Sequence, residues 1–242
     1  MSQSHSEVEA LIKRAARGVN QTWGMADESA KAARWLNERG LHGSDTLLEL
    51  LTLYDVKPPV KPPTKPIVGQ ARWCAQDDGL LCPVITGTAI ADFSAVLLDC
   101  KHIECVNVVC PSIVLPFAAQ ASLSIQVCLS VEWDSSHVFI QGNQLAAQIE
   151  PIKQNPDKSA GVEVDSNAIH EIATSVRIQV HDTTLSEYLD RHTSLVERSP
   201  VVRASVDPAC WERLAVFAHR TYAPASDESR RLGAGAGSSE ND

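Results

Sequence analysis

The hydrophobic pattern changes its period at a proline-rich segment, and this change constrains the fold more than any other feature. Before residue 57 the apolar residues recur at helical intervals, and from residue 67 to about residue 180 they alternate. Residues 57–66 hold five prolines, which exclude helix and favour extended chain. The segment is predicted to be a stiff spacer. A ligand for a proline-recognising module is the alternative, since the prolines have the required spacing.

Three helices are predicted within residues 1–56. The second is expected over residues 25–39 and ends at Gly40, because glycine readily takes the left-handed conformation that closes a helix. The other two are expected to begin at residue pairs with the spacing of a capping box. These pairs are Ser6 with Glu9 and Thr46 with Glu49.

The clearest strand pattern covers Ser122 to Trp133, where apolar residues alternate with polar ones. It predicts a long strand with one face in the core and a polar opposite face. A second strand, Val138 to Ile140, is expected after a turn, and residues 176–180 alternate in the same way. One-sided strands joined by short turns favour antiparallel or mixed pairing.

Two further helices are predicted near the end of the chain, the first capped by Thr184 and Glu187 and the second opening at Asp207-Pro208. The fold class is therefore predicted as α+β, with the N-terminal helices and a C-terminal helix packed on a mostly antiparallel or mixed β-sheet. The predicted segments are an N-terminal helical segment (1–56), a Pro/Lys-rich linker (57–66), an α+β body with the sheet and C-terminal helix (67–222) and a Gly/Ser-rich tail (223–242).

Charge and composition exclude several classes of function. A net charge of −9 disfavours binding to nucleic acid or to anionic membranes, both of which need a basic surface. The N-terminal residues lack the pattern of a signal peptide. The most apolar stretch, residues 106–131, is interrupted by prolines and polar residues, so no membrane helix is predicted. The seven cysteines are an odd count without a disulfide framework, which favours a cytoplasmic location.

The cysteines and histidines do not form a recognisable catalytic or metal-binding motif. Cys100, Cys105 and Cys110 recur every five residues, whereas zinc ligands usually stand two to four apart, so we predict buried thiols and no metal. Cys82 follows acidic residues, which would disfavour a reactive thiolate. His219 falls at the border of the last helix's apolar face and is predicted to be a core histidine. The familiar nucleotide-binding loops are absent, which excludes the common nucleotide fingerprints and leaves any cofactor unknown.

The C-terminal tail is the most unusual segment. Small residues alternate over Gly233-Ala234-Gly235-Ala236-Gly237, and the amides of such a segment can point into one concavity. Arginines just before it can pair with an anion. The candidate ligand-binding residues are Tyr222, Ser226, Arg230, Gly233, Gly235 and Gly237. A frayed, soluble terminus is the alternative.

Two stretches of the chain carry a family resemblance. The first covers residues 7–18, 23–28 and 32–36, and the second runs from residue 220 through the alternating glycines to Asp242. Together they resemble an uncharacterised bacterial family, domain of unknown function family 3726. The resemblance implies no activity. It does imply that the Gly-Ala-Gly-Ala-Gly ending is shared by the family, which favours a functional tail.

The N-terminal helices, with the segment from Arg39 to Ser44 that follows them, carry a weaker resemblance. They are similar to the opening of the malate and L-lactate dehydrogenase family that lacks a Rossmann domain. That family places a catalytic histidine in a comparable segment, and here only His42 and Ser44 remain of it, in a different order.

Two functions remain open from the sequence. The first is a protein or enzyme that binds a small anionic metabolite, with the tail and Arg230 closing the site. The second is a non-catalytic subunit or assembly factor of a bacterial metabolic complex, which the absence of a recognisable nucleophile, metal set or cofactor loop favours. A homo-oligomer or another protein partner is compatible with either.

Overall fold

A computed structural model of the chain describes residues 2–56, 60–63, 71–75, 79–148 and 172–222. Within these ranges the helices are α1 (His5–Gly18), α2 (Trp23–Glu38), α3 (Gly43–Val56), α4 (Pro83–Asp92), α5 (Ala95–Cys100), α6 (Leu115–Ile125), α7 (Leu185–Arg191) and α8 (Pro208–His219). The strands are β1 (Ser2–Gln3), β2 (Val60–Lys61), β3 (Arg72–Trp73), β4 (Leu80–Leu81), β5 (His102–Val109), β6 (Cys128–Trp133), β7 (Ser136–Gln141), β8 (Gln144–Gln148), β9 (Ile172–His181), β10 (Val196–Glu197) and β11 (Ala204–Ser205).

The main sheet is mixed, as the alternating pattern predicted. Its order is β10-β8-β7-β6-β9-β5-β4-β2, with β3 also paired to β5. The pairs from β10 to β5 are antiparallel, and the short strands β2, β3 and β4 pair in parallel. A separate antiparallel pair joins β1 to β11. The predicted α+β class is confirmed.

The three N-terminal helices are confirmed, although two of their caps were wrongly placed. The capping box of α1 is formed by Ser4 and Glu7, three residues apart like the predicted pair but two residues earlier. Helix α3 begins at Gly43, so Thr46 lies inside the helix and donates back to the carbonyl of His42. Gly40 has φ +66, as the predicted end of α2 requires.

The prediction of one strand from Ser122 to Trp133 is wrong in its first half. Residues up to Ile125 belong to α6, and Gln126 adopts a left-handed conformation (φ 55) that ends the helix. The Ser122 hydroxyl then donates to the carbonyl of Val127 and accepts from the amide of Gly142. The alternation of Leu123 and Ile125 indicated a strand, but the alanine-rich sequence of α6 favours a helix.

The sheet is covered on both faces around β6, β7 and β8. One face contributes to the main core with the N-terminal helices, α4, α6 and α8, through Leu129, Val131, Val138, Ile140, Leu145 and Ala147. The other face contributes to a second, smaller core beneath α7, formed by Cys128, Phe139, Ala146, Leu185, Tyr188 and Leu195. The prediction that one face of β6 is polar and lies outside the core is therefore wrong, since Ser130 and Cys128 on that face are buried.

Most of the predicted linker lies outside the described residues. Within it, Val60 and Lys61 pair in parallel with β4 at the end of the sheet order, and Pro63 bridges to Ala75. This part of the segment is thus attached to the edge of the sheet.

Candidate functional site

Only Tyr222 among the sequence-predicted site residues lies in the described part of the chain. Its hydroxyl accepts a hydrogen bond from Nη1 of Arg14 at 2.9 Å, which connects the end of α8 to α1. Its ring meets that of His219 edge-on, with centroids 5.3 Å apart. The other predicted site residues, Ser226, Arg230, Gly233, Gly235 and Gly237, lie outside the described residues.

The surface around Tyr222 carries one paired arginine and one unpaired arginine. Arg220 forms an ion pair with Asp55 at the end of α3, and hydrogen bonding to that carboxylate raises the pKa of the arginine. Arg14 makes no ion pair with any carboxylate in the described ranges. Among the described residues the positive charge of Arg14 therefore has no counter-charge, and it lies where the described chain ends.

His219 is exposed, so the prediction of a core histidine is wrong. Helix α8 buries Cys210, Leu214, Phe217 and Ala218 against α1 and α3, which turns the next position toward solvent.

A second candidate site, missed in the sequence, lies on the opposite face of the sheet under α7. It consists of three histidines and two aromatic residues, which we call the histidine cluster: His137, Phe139, His181, Tyr188 and His192. Strands β7 and β9 flank β6 and supply the first three residues, while α7 and the residue after it supply the other two.

Tyr188 lies at the centre of the cluster. Its ring is stacked on Phe139, with centroids 3.8 Å apart, and on His192, at 4.2 Å. The rings of His137 and His181 meet it edge-on at 5.8 and 5.2 Å. Edge-to-face and offset aromatic contacts each add a favourable term beyond the area that they bury.

Hydrogen bonds fix two of the imidazoles. Nε2 of His137 lies 3.0 Å from the Tyr188 hydroxyl and 3.4 Å from Oε1 of Glu132. Nε2 of His181 lies 2.9 Å from the hydroxyl of Ser130. In each pair the donor is set by the histidine tautomer.

Burial keeps the two fixed imidazoles neutral. It lowers the pKa of both His137 and His181, with Glu132 opposing the shift and His192 adding to it. Burial and the same carboxylate raise the pKa of Tyr188. Near neutral pH His137 and His181 are therefore neutral and lie against a protonated phenol, and both imidazoles take up protons as the medium becomes acidic.

The cluster could be anticipated only in part. Tyr188 and His192 are four residues apart, the spacing that puts two side chains on one helical face. His137 and His181 reach them through strand pairing between residues far apart in the chain, which a local pattern does not reveal.

None of the seven cysteines, all of which lie in the described ranges, forms a disulfide bond. Cys105 and Cys110 of the five-residue series are buried and Cys100 is half-buried, and burial raises the pKa of Cys105. Cys82 is buried at the start of α4, where it accepts a hydrogen bond from the Tyr54 hydroxyl at 3.2 Å, and burial raises its pKa as well. Across the described ranges no group of three or more His, Cys, Asp or Glu residues is placed to hold a metal ion.

Part of the chain matches a known family. Residues 3–96 match the family described as "Protein of unknown function (DUF3726)". The resemblance of the N-terminal stretch to this family is therefore confirmed, and the match ends well before the second stretch at the C-terminus. No curated protein matches the sequence significantly.

Two solved dehydrogenase structures are similar to parts of this chain. Sulfolactate dehydrogenase from Methanocaldococcus jannaschii has a TM-score of 0.41 and 12% identity, over 60% of this chain and 47% of that chain. Malate dehydrogenase from Entamoeba histolytica has a TM-score of 0.40 and 11% identity, over 80% of this chain and 53% of that chain. The matches thus span about half the length of each enzyme, and neither transfers an activity to this chain.

None of the helices in the described ranges is both long enough and apolar enough to cross a membrane.

Proposed function

We propose that this is a cytoplasmic protein or enzyme that binds a small anionic metabolite. In this proposal Arg14 and Tyr222 hold the anion from the body of the domain, and Arg230 and the glycine-rich tail close the site. The observation that carries the proposal is the unpaired Arg14 beside the Tyr222 hydroxyl, at the point where the tail begins.

The contacts of these two side chains leave donors for an anion. A guanidinium has five N–H donors. Arg14 directs Nε to the carbonyl of Ala10 and Nη1 to Tyr222, so three N–H groups have no protein acceptor among the described residues. The Tyr222 hydroxyl accepts from Arg14, so its own proton is available to a ligand. Tyr222 is 56% exposed, which leaves room for an approaching ligand.

The tail would supply the remaining contacts. Arg230 would provide a second guanidinium, Ser226 a hydroxyl, and Gly233, Gly235 and Gly237 backbone amides, which together suit a carboxylate or a phosphate. Arg220 is paired with Asp55, so Arg14 is the arginine that we assign to the anion among the described residues near Tyr222.

A thermal-shift screen tests the proposal. Inorganic phosphate, di- and tricarboxylates and phosphorylated sugars would be added to the full chain at constant ionic strength. A ligand at 100 times its Kd should stabilise the fold by about 2.7 kcal/mol. For the ligand found, Arg14→Gln and Arg230→Ala should each weaken binding by about 1.5–3 kcal/mol, the range for a charged hydrogen bond.

The matched control is Arg191→Gln, which removes an exposed arginine from α7 on the opposite face of the sheet. It should leave the affinity unchanged. If all three arginine variants weaken binding equally, the ligand responds only to net charge and the proposed site is wrong. If no anion stabilises the protein, the binding function itself is wrong.

A non-catalytic subunit or assembly factor is the second candidate. It is favoured by Val196, Val201 and Val202, which are 59, 43 and 92% exposed. This segment is held in place, because the amide of Val201 donates to the carbonyl of Glu38 and His5 Nε2 hydrogen-bonds to the carbonyl of Val201. Val202→Lys should abolish association with a partner, or self-association, while leaving anion binding intact. Size-exclusion chromatography with light scattering distinguishes the two functions.

A further inference from the structure

Helix α7 rests on a core of its own. It packs against β7 and β8, and the residues buried beneath it form a cluster separate from the main core. A helix of seven residues is too short to be stable alone, so it depends on this packing. The packing that holds α7 is therefore separate from the packing of the main core.

The packing beneath α7 depends on the histidine cluster. Tyr188 is the residue of α7 that lies between Phe139 of the sheet and His192, and His137 and His181 enclose its edges. His137 and His192 are close to each other as well, with ring centroids 5.6 Å apart. Three imidazoles are thus gathered around the buried rings of Tyr188 and Phe139.

The charged groups that face the cluster are few. Glu132 of β6 favours protonation of both His137 and His181, and Asp182 favours protonation of His181. Glu187 of α7 lies near Cys128 and Arg191 lies near Glu187. Burial is the largest effect on both His137 and His181, and it outweighs the carboxylates.

We propose that α7 is a pH-sensitive cover, which packs on β7 and β8 when His137 and His181 are neutral and leaves them when these imidazoles take up protons. The release exposes the apolar sheet face formed by Phe139, Ala146 and Cys128.

The direction of the effect follows from proton linkage. Burial lowers the pKa of His137 and His181 below the ordinary 6.5 in the packed state, and release returns them toward it. The released state therefore binds more protons, so acid favours release. The effect begins as the pH falls below about 6.5 and grows as the pH approaches the lowered values.

The chain contains its own reporters for the experiment. Cys128 is buried beneath α7, Cys105 is buried in the main core, and Cys74 is exposed. The full chain would be labelled with 4,4′-dithiodipyridine at pH 7.5, 6.5, 5.5 and 5.0, and each cysteine quantified by peptide mass spectrometry. The labelling rate of Cys128 is divided by that of Cys74, which corrects for the effect of pH on the reagent.

We expect the normalised labelling of Cys128 to rise roughly tenfold or more between pH 7.5 and 5.0, while Cys105 stays protected. Returning the sample to pH 7.5 should restore the protection of Cys128. If Cys128 stays protected at pH 5.0, or becomes reactive only together with Cys105, the proposal is overturned.

Substitutions show whether the histidines cause the response. His137→Gln, His181→Gln and His192→Gln should each reduce the ratio of labelling at pH 5.0 to that at pH 7.5, and the triple variant should bring it close to one. A variant is interpreted only where Cys128 stays protected at pH 7.5, because an α7 that is released at every pH would also give a ratio close to one. His42→Gln is the control, since this imidazole is 76% exposed and lies outside the cluster.

Glu132→Gln gives a test in the opposite direction. Its carboxylate favours the protonated imidazoles in the packed state, so its removal should increase the labelling of Cys128 in acid. An unchanged acid response in the triple histidine variant, a lost response in His42→Gln, or a reduced response in Glu132→Gln would each overturn the proposal.

Discussion

The hydroxyl of Tyr188 lies 3.0 Å from Nε2 of His137, at the edge of a ring that is itself stacked between Phe139 and His192. One side chain of α7 thus combines a polar contact and an apolar contact with the sheet. The two contacts can be separated by substitution, because phenylalanine keeps the ring and loses only the hydroxyl.

Tyr188→Phe should cost about 0.5–1.5 kcal/mol of unfolding free energy, the net value of one hydrogen bond. Tyr188→Ala removes the stacked ring as well and should cost about 3–5 kcal/mol, as for other buried aromatic residues. Urea unfolding monitored by tryptophan fluorescence measures both. Equal losses in the two variants would show that the stack with Phe139 and His192 contributes nothing.

The pH dependence of global stability should show two separate declines. Burial lowers the pKa values of His137 and His181. Their neutral forms therefore contribute fully to the unfolding free energy above pH 6.5, and this contribution is lost as the pH falls below that value. The pKa of Asp27 is lowered to about 2 by hydrogen bonds from Lys13 and Lys31, so its contribution is lost only as the pH falls below about 3.8 toward that value. Urea unfolding midpoints measured between pH 8 and pH 3 would show both declines.

Substitutions show which residues cause each of the two declines in the urea midpoint. The double variant His137→Gln/His181→Gln should flatten the decline that starts near pH 6.5 and leave the lower one in place. Asp27→Asn should do the reverse. A wild-type midpoint that is constant from pH 7.5 to 5.5 would contradict the role given to the two histidines.

Local sequence signals located α1, α2, α3, α7 and α8, with less accurate ends, and missed α4, α5 and α6, which lie in the region expected to form strands. The prediction for α1 used the correct capping pattern but chose Ser6 with Glu9 in place of Ser4 with Glu7, because both pairs have the same spacing. The capping box of Thr184 and Glu187 is confirmed, as is the opening of α8 at Asp207-Pro208. In those two places only one residue pair fitted the pattern.

The candidate sites were harder to predict because they depend on long-range pairing. Strand β6 lies between β7 and β9, and this order brings His137 and His181 to the same face of the sheet. Nothing in the alternation of either strand indicates that the other is its near neighbour. The Arg14–Tyr222 contact likewise joins residues 208 positions apart.

Helices α1 and α8 approach closely at Gly18. A Cβ atom at this position would overlap the carbonyl oxygen of Phe217, which is backbone and cannot move aside without shifting α8. Gly18→Ala should therefore destabilise the fold by about 1–3 kcal/mol, the usual cost of overpacking.

Gly24→Ala is the control, because no atom lies within 4 Å of its added Cβ. It should be neutral or stabilise by up to about 1 kcal/mol. Thermal unfolding of the two variants gives the comparison, and a stable Gly18→Ala protein would contradict the close approach.

The boundary between α6 and β6 can be tested with a pair of aspartate substitutions. A single strand from Ser122 to Trp133 would place both Leu123 and Val131 in the core, since their positions differ by an even number. The structure leaves Leu123 51% exposed on α6 and buries Val131 completely in β6. Val131→Asp should therefore cost several kcal/mol, because it buries a charge without a partner. Leu123→Asp should cost about 1 kcal/mol or less, and urea midpoints measure the difference. Similar large losses for both variants would restore the single strand and remove α6 from the fold.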